Sequence, residues 1–222
     1  MKDLAKLANL DKITRDHFPA VMVPKYSPLE KCPMGKTRLL MAVDGLYIET
    51  RQPWGILIRR LWDAPRALPY GPVNVIDTFS DALYEAHKIL ETNLDEAERM
   101  AEKCLEWAGW VVWKSGQFSF MPLEYEELSA VKARKIHPRL PEGASLVLDA
   151  HSHHRMPAYF STQDNKDDMG GVKIAQVIGG YTTECGFEQL RTRYCVEGFF
   201  FPEDEDFDGD GLIDDDAFED AI

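Results

Sequence analysis

Two histidines, a serine and an aspartate lie within one short stretch of this chain, at spacings that suit a divalent metal ion. The segment before them, 144–150, is rich in apolar and β-branched residues and predicts a strand, so His151 and His153 project to the same side. Ser161 and Asp164 have the S-x-x-D spacing of a helix start, in which the serine caps the first turn. That turn can bring Asp164 to the metal as a third ligand.

Two imidazoles and one carboxylate leave the fourth position of a tetrahedral zinc ion for water, which is typical of catalytic rather than structural zinc sites. Zinc lowers the pKa of bound water to about 7, so hydroxide forms near neutral pH. A nearby carboxylate is still needed to carry a proton from the water to a leaving amine. The residue types therefore indicate a zinc site that activates water.

The four residues form the pattern H-x-H-x7-S-x2-D, in the order His151, His153, Ser161 and Asp164. This pattern resembles the JAMM (JAB/MPN) signature of zinc metalloproteases that remove ubiquitin and ubiquitin-like proteins. The resemblance implies that both histidines and Asp164 bind zinc and that Ser161 hydrogen-bonds the tetrahedral oxyanion. It also implies a partner, which is a ubiquitin-like protein or its conjugate.

The same signature includes a glutamate between a helix and a strand, commonly in an E-x-x-G context. Glu106-Trp-Ala-Gly109 fits it, because it follows the predicted helical segment 93–105 and precedes the apolar run 110–113. By resemblance, Glu106 is the general acid and base. Two alternatives stay open: Glu106 belongs to a solvated helix face, or Glu49, which also follows an apolar run, is the relevant acid.

One position departs from the family pattern. The usual H-x-H-P has His154 in place of the proline, and the nearest proline is Pro157. On a strand, His154 is expected to point away from His151 and His153. We therefore expect it outside the metal coordination, although it remains a candidate for a competing ligand.

The resemblance covers residues 93–200 and implies an α+β, three-layer α/β/α-like fold with a cytidine-deaminase-like core and a mixed β-sheet. Residues 157–168 more narrowly resemble JAB-domain proteins of the bacterial PRTRC system, which is typically encoded with ubiquitin-like and activating-enzyme-like partners.

Two alternatives to an isopeptidase stay open. They are hydrolysis of a sulfur-carrier adduct or small peptide, and a non-catalytic JAB-fold scaffold. Such scaffolds have typically lost metal ligands, so the complete ligand set favours a zinc metallopeptidase.

The elements that must position the site follow from periodicity and turn signals. Residues 1–80 are predicted to form a β-rich N-terminal extension. It has a hairpin at Asp44-Gly45 and a third strand over 54–61. This extension is expected to cover the catalytic domain or to form a surface for a homo-oligomer. Residues 81–202 are predicted to form the JAB domain, and 203–222 an acidic tail.

Within the predicted JAB domain, Ser80 is expected to cap a first helix, and Asn93 with Glu96 a second one. Strands are predicted at 110–113, 118–121, 172–178 and 189–200. Residues 131–139 form a basic stretch between the second and the metal-bearing strand. Mixed strands around a few helices fit an α+β architecture.

Composition bounds the class of protein. No run of eighteen apolar residues occurs, and the N-terminus lacks the apolar core of a signal peptide, so we expect a cytoplasmic chain without membrane contact. The cysteines have no C-x-x-C spacing and are expected to be reduced and buried: Cys32, Cys104, Cys185 and Cys195.

The net charge of -13 comes mostly from the tail. Of the 38 acidic residues, 11 lie between Glu203 and Ile222, which leaves 27 against 25 Lys and Arg in the rest of the chain. The body is therefore nearly neutral, and we expect no binding to nucleic acid.

The tail also contains the beginning of a calcium-binding loop, with acids at Asp206, Asp208, Asp210 and Asp214. Position 12 of such a loop should be a glutamate, but it is Ala217 here. Weak Ca²⁺ binding is one interpretation. A disordered, solubilising acidic tail is the other.

Overall fold

Strands predominate in the computed structural model, which describes residues 12–129 and 132–203. The described residues fall into two compact units. The first unit contains the described residues up to Ile89, together with Val112–Ser119 and Leu140–Val147. The second unit contains Leu90–Val111, Phe120–Arg139 and the described residues from Leu148 onward. The predicted α+β class with a β-rich N-terminal region is confirmed.

A five-stranded sheet occupies the N-terminal region, in the order β1-β2-β3-β4-β5. Its strands are β1 (Ala20–Met22), β2 (Lys36–Ala42), β3 (Gly45–Gln52), β4 (Gly55–Asp63) and β5 (Ile76–Asp77). The pairing is antiparallel from β2 to β5, whereas β1 is parallel to β2. The predicted hairpin therefore forms, and Gly45 is required because a Cβ there would collide with the carbonyl oxygen of Trp62.

A second sheet has six strands, in the order β13-β12-β11-β10-β6-β7, and His151 lies on its strand β10. Its strands are β6 (Ala108–Lys114), β7 (Gln117–Pro122), β10 (Ala144–Ser152), β11 (Val172–Gly179), β12 (Gln189–Val196) and β13 (Phe199–Pro202). Strand β10 is parallel to β11, and β11 is antiparallel to β12. Almost every residue of β11 is buried, as its continuous apolar run predicts.

Two strand predictions need correction. The run 189–200 is a hairpin and not one strand, because Glu197 and Gly198 adopt positive φ angles of 50° and 88° and reverse the chain. The basic stretch contains β9 (Lys132–Ile136), which pairs with β8 (Glu124–Ser129) in a separate two-stranded sheet. Three of the six residues of β8 and three of the five residues of β9 are charged, so no apolar alternation indicated these strands.

Within the described residues, three helices have defined bounds. They are α1 (Phe79–Glu91), α2 (Leu94–Glu102) and α3 (Thr162–Asp167). Ser80 lies inside α1, and the Phe79 amide donates instead to Asp77 Oδ1 at 3.0 Å. Helix α2 begins after Asn93 as predicted, but the Asn93 side chain makes no capping hydrogen bond. The predicted cap of α3 does form, because the Ser161 side chain accepts a hydrogen bond from the Asp164 amide.

No helix of the described residues is long and apolar enough to cross a bilayer. All four cysteines are free thiols, and Cys32 and Cys195 are buried as expected, but Cys185 is exposed and Cys104 half-buried. The proposed calcium ligands Asp206, Asp208, Asp210 and Asp214 lie outside the described residues.

Candidate metal centre

The three predicted ligands meet at the end of β10. His151 is the penultimate residue of that strand, His153 follows it, and Asp164 lies in the first turn of α3. One ligand atom from each of these residues lies within 4.8 Å of the others. Both imidazoles are buried, and Asp164 is half-buried. Strand alternation and a short helix thus bring together the residues that the spacing indicated.

The backbone around His153 defines which ring nitrogen can bind a metal. His153 Nδ1 lies 3.1 Å from the carbonyl oxygen of Pro157, which can only accept a hydrogen bond. Nδ1 therefore carries the proton, and Nε2 has the free lone pair. The loop is held in place because Met156 O accepts from Gly180 N at 2.7 Å, and a Cβ at Gly179 would lie 2.5 Å from the same oxygen.

His151 is in the uncharged form that a metal requires. Burial, followed by the positive charge of Lys135, lowers the pKa of His151 to about 3 even though Asp164 acts in the opposite direction. A neutral imidazole keeps its lone pair for coordination across the neutral pH range. His151 Nε2 lies 3.4 Å from Asp164 Oδ1, so the two atoms face each other.

Asp164 has one oxygen bound to the protein and one directed to His151. Its Oδ2 accepts from Ser161 N at 2.7 Å and from Ser161 Oγ at 2.6 Å, and Asp164 N donates to Ser161 Oγ at 3.2 Å. This is a capping box. Burial would raise the pKa of Asp164, but His151 and the bonds from Ser161 lower it. Asp164 is therefore a candidate anionic ligand, and Ser161 orients its carboxylate.

Glu106 lies in the connection between α2 and β6 and is half-buried. Burial is the main cause that raises its pKa, whereas electrostatic interactions with His153 and Lys135 lower the pKa and the interaction with Asp164 raises it. These interactions indicate that the carboxyl group lies within electrostatic range of His153 and Asp164.

Ser152 connects this glutamate segment to the histidines, a role that the sequence analysis missed. Its side chain points away from its two histidine neighbours, and its hydroxyl accepts from Trp107 N at 2.8 Å, while Ser152 N donates to Trp107 O at 2.8 Å. The Gly109 of the E-x-x-G motif has a packing reason, because a Cβ there would collide with the Phe120 ring that stacks on Trp107. The sequence signal for this role was the position of Ser152 between two histidines on a predicted strand, which places its side chain on the opposite face.

Glu49, the alternative to Glu106, is part of an ion pair. It is buried on β3, and its Oε2 accepts from Arg38 Nε at 2.7 Å. A buried carboxylate that is neutralised in this way is typical of a structural pair. This contact favours Glu106 as the candidate acid and base.

His154 is not on a strand, so that part of the prediction is wrong. Its φ angle is 42°, and its Nδ1 accepts a hydrogen bond from Arg155 N at 2.8 Å. Proline cannot adopt a positive φ, because its ring fixes φ near −65°. The backbone conformation thus explains why proline is absent from this position. His154 is not part of the three-residue ligand cluster.

A small cavity opens beside the ligands. It is lined by Lys135, His137, Asp149, His151, Phe160, Asp164, Asp167, Asp168 and Ala175. Lys135 was missed as a site residue, although the basic stretch that contains it was visible. Its positive charge lowers the pKa of both Glu106 and Asp164.

The donor set fits zinc. Two neutral imidazoles and one carboxylate are the ligands of many catalytic zinc sites, and His153 and Asp164 each have the hydrogen-bonded partner that orients such ligands. The residues that would hold the ion are His151, His153 and Asp164.

Comparison with protein families agrees with this geometry. Residues 94–192 match the model of prokaryotic homologs of the JAB domain, and residues 8–78 match a domain of unknown function, DUF2016. No curated protein matches the chain. The first match includes Glu106, Ser161 and all three candidate ligands. Residues 94–192 of this chain therefore form a domain that is similar to the prokaryotic homologs of the JAB domain.

Proposed function

We propose that this protein is a zinc-dependent isopeptidase of the JAMM type that cleaves a ubiquitin-like protein from its conjugate or precursor. The observation that carries the proposal is the cluster of His151, His153 and Asp164, whose ligand atoms lie within 4.8 Å of one another. The half-buried Glu106 interacts electrostatically with His153 and Asp164 of this cluster. The family match to the prokaryotic JAB homologs supports the same chemistry.

The chain's own residues have separate roles in this proposal. Zinc, when bound, supplies a water molecule of lowered pKa. The carboxylate of Glu106 would accept a proton from the attacking water and deliver it to the amine nitrogen as the C–N bond of the substrate breaks. The hydroxyl of Ser161, which donates to Asp164 in this structure, turns to donate to the oxygen on which negative charge develops.

The substrate class is an inference from family resemblance. The segment 157–168, which contains Ser161 and Asp164, resembles JAB-domain proteins of the PRTRC system, and that system is typically encoded with ubiquitin-like partners. The substrate is accordingly proposed to have a C-terminal glycine linkage. Neighbouring genes for a ubiquitin-like protein and an activating enzyme would support it.

The test combines metal content with cleavage. Glu106→Gln should keep about one zinc per chain and abolish cleavage of a ubiquitin-like fusion, because the amide can neither accept nor deliver the proton. Glu102→Gln, an exposed change in the preceding helix, is the control and should cleave like the wild type. Wild-type cleavage by Glu106→Gln would refute the role of Glu106. Wild-type protein with far less than one zinc per chain would instead favour a non-catalytic scaffold.

A further inference from the structure

The side chain of Arg193 contacts the segment that contains Ser161 and Asp164 at three points. Its guanidinium carbon lies 3.8 Å from the centre of the Phe160 ring. Its Nη1 donates to Asn165 Oδ1 at 2.7 Å, and its Nη2 donates to Asp168 Oδ2 at 2.7 Å. The three contacts flank Ser161 and Asp164 on both sides. Arg193 is itself buried on β12, with a second aromatic ring at 4.0 Å.

The contacts continue to the strand that contains the histidines. Asp168 Oδ1 lies 2.6 Å from Lys173 Nζ on β11, and the same Nζ donates to Asp149 Oδ2 at 2.7 Å. Asp149 precedes His151 by two residues on β10. A chain of four alternating charges thus connects the helix of the third ligand to the strand of the first. The two acids, Asp149 and Asp168, balance the two bases, Lys173 and Arg193, so each buried charge has a partner.

Helix α3 needs these contacts because it has no apolar means of docking. It contains six residues, and none of them is buried. A helix of this length is not stable alone, and most helices are fixed by an apolar face packed on a core. The position of Asp164 is therefore determined by the capping box and by the polar contacts around Arg193.

We propose that Arg193 is a positioning residue for the metal centre, which fixes α3 so that Asp164 reaches the ion held by His151 and His153. This inference rests on the proposed metal site. The arginine is not replaceable by lysine, because only a planar guanidinium can stack on Phe160 while it donates to both Asn165 and Asp168.

The test measures metal binding by the full chain without substrate. Arg193→Lys should weaken Zn²⁺ affinity, measured by competition with a chromophoric chelator, by about tenfold or more, as is common when a partner of a ligand is lost. With Co²⁺ as the probe, the intense visible bands of a four-coordinate site should weaken. Arg191→Lys, at an exposed position two residues earlier on β12, is the control and should bind both ions like the wild type.

A second variant covers the case in which Arg193→Lys does not fold. Asn165→Ala removes one contact from the exposed face of α3 and should weaken Zn²⁺ binding by a few-fold, whereas Gln163→Ala on the same helix should not. A purely structural Arg193 would lower the unfolding temperature of the metal-free chain and leave the Co²⁺ spectrum and Zn²⁺ affinity of the folded protein unchanged. That result would overturn the inference.

The outcomes separate this inference from the proposed function. If Asp164→Ala binds Zn²⁺ as tightly as the wild type, the metal site itself is wrong. If Asp164→Ala loses Zn²⁺ while Arg193→Lys and Asn165→Ala retain wild-type affinity, only the role of Arg193 is wrong.

Discussion

At the scale of single residues, the candidate ligands are oriented by the chain before any metal binds. His153 uses one ring nitrogen on Pro157, and Asp164 uses one oxygen on Ser161, so each has one remaining atom for coordination. The spacing of the histidines and of Ser161 with Asp164 was sufficient to predict that the candidate ligands lie together, while their binding of a metal stays a prediction. The contact with Pro157 was not predictable, because it depends on how the loop after His153 turns back.

The first prediction concerns Ser161. Its hydroxyl donates to Asp164 Oδ2 and accepts from Asp164 N. Ser161→Ala should therefore weaken Zn²⁺ affinity by about tenfold and lower the free energy of unfolding by about 1 kcal/mol. Chelator competition and urea unfolding measure the two effects, and Ser161→Thr should restore most of both. Unchanged Zn²⁺ affinity in Ser161→Ala would mean that the hydroxyl does not orient the ligand.

The second prediction concerns the pH dependence of cleavage. Burial raises the pKa of Glu106 above the ordinary 4.5, and a base acts only when it is deprotonated. Activity should therefore fall as the pH drops through this raised value. Lys135 favours the carboxylate and lowers the pKa of Glu106, so Lys135→Met should move the acidic limb of the pH profile to higher pH. Lys103→Met, at an exposed position, is the control, and equal acidic limbs for Lys135→Met and wild type would contradict the argument.

At the scale of elements, the capping signals had different outcomes. Ser161 adopts the extended conformation of a helix cap, with φ −76° and ψ 167°, and its side chain reaches the amide of Asp164. Asn93 has φ −122° and ψ 7°, so its backbone lacks the extended conformation of a helix cap, and its side chain makes no capping hydrogen bond. Both sequences have a suitable residue three positions before an acid. The backbone angle decides between them, and it depends on tertiary packing.

The third prediction concerns the ion network that joins β10, β11 and α3. Burial alone would lower the pKa of Lys173, but Asp149 and Asp168 outweigh it and raise the pKa above 10.5. The stabilisation from a raised pKa is complete below the unfolded-state value and is lost as the pH rises through the folded-state value. The difference in unfolding free energy between wild type and Lys173→Met should therefore be constant from neutral pH up to pH 10.5 and should shrink above it.

Urea unfolding at neutral pH and at several pH values above 10.5 measures this difference. The exposed Lys166→Met is the control, and its difference from the wild type should stay small throughout. A Lys173→Met difference that does not change above this pH would show that the charge of Lys173 contributes nothing to the network.

At the scale of the whole molecule, the fold class was predictable and several connections were not. Apolar runs indicated the hairpin at Gly45 and the buried strand β11, since burial of a sheet face leaves a clear pattern. The pair β8–β9 left no such pattern because at least half of the residues of each strand are charged. The domain boundaries at residues 80 and 202 stay a prediction, and so does Ca²⁺ binding by the acidic tail.

The fourth prediction concerns the thiols of the whole chain. Cys185 is exposed, whereas Cys32 and Cys195 are 2% and 0% exposed, and burial raises the pKa of both buried thiols. Since the thiolate is the reactive form, a maleimide should label Cys185 first and the buried pair only after unfolding. Peptide mass spectrometry after timed labelling identifies the modified residues. Rapid labelling of Cys195 in the native protein would contradict the packing of β12.

The alternation of side chains at the end of β10 has a consequence for insertions and deletions. His151 and His153 face the candidate metal site, and Ser152 faces the other side, where it holds the backbone next to Glu106. A one-residue shift of a strand exchanges its two faces. A single inserted or deleted residue within β10 would therefore turn the histidines toward Trp107 and the serine toward the metal, and would remove the ligands and the support of the base together. We expect length variation among homologous chains to avoid this strand, even where side-chain substitutions are tolerated.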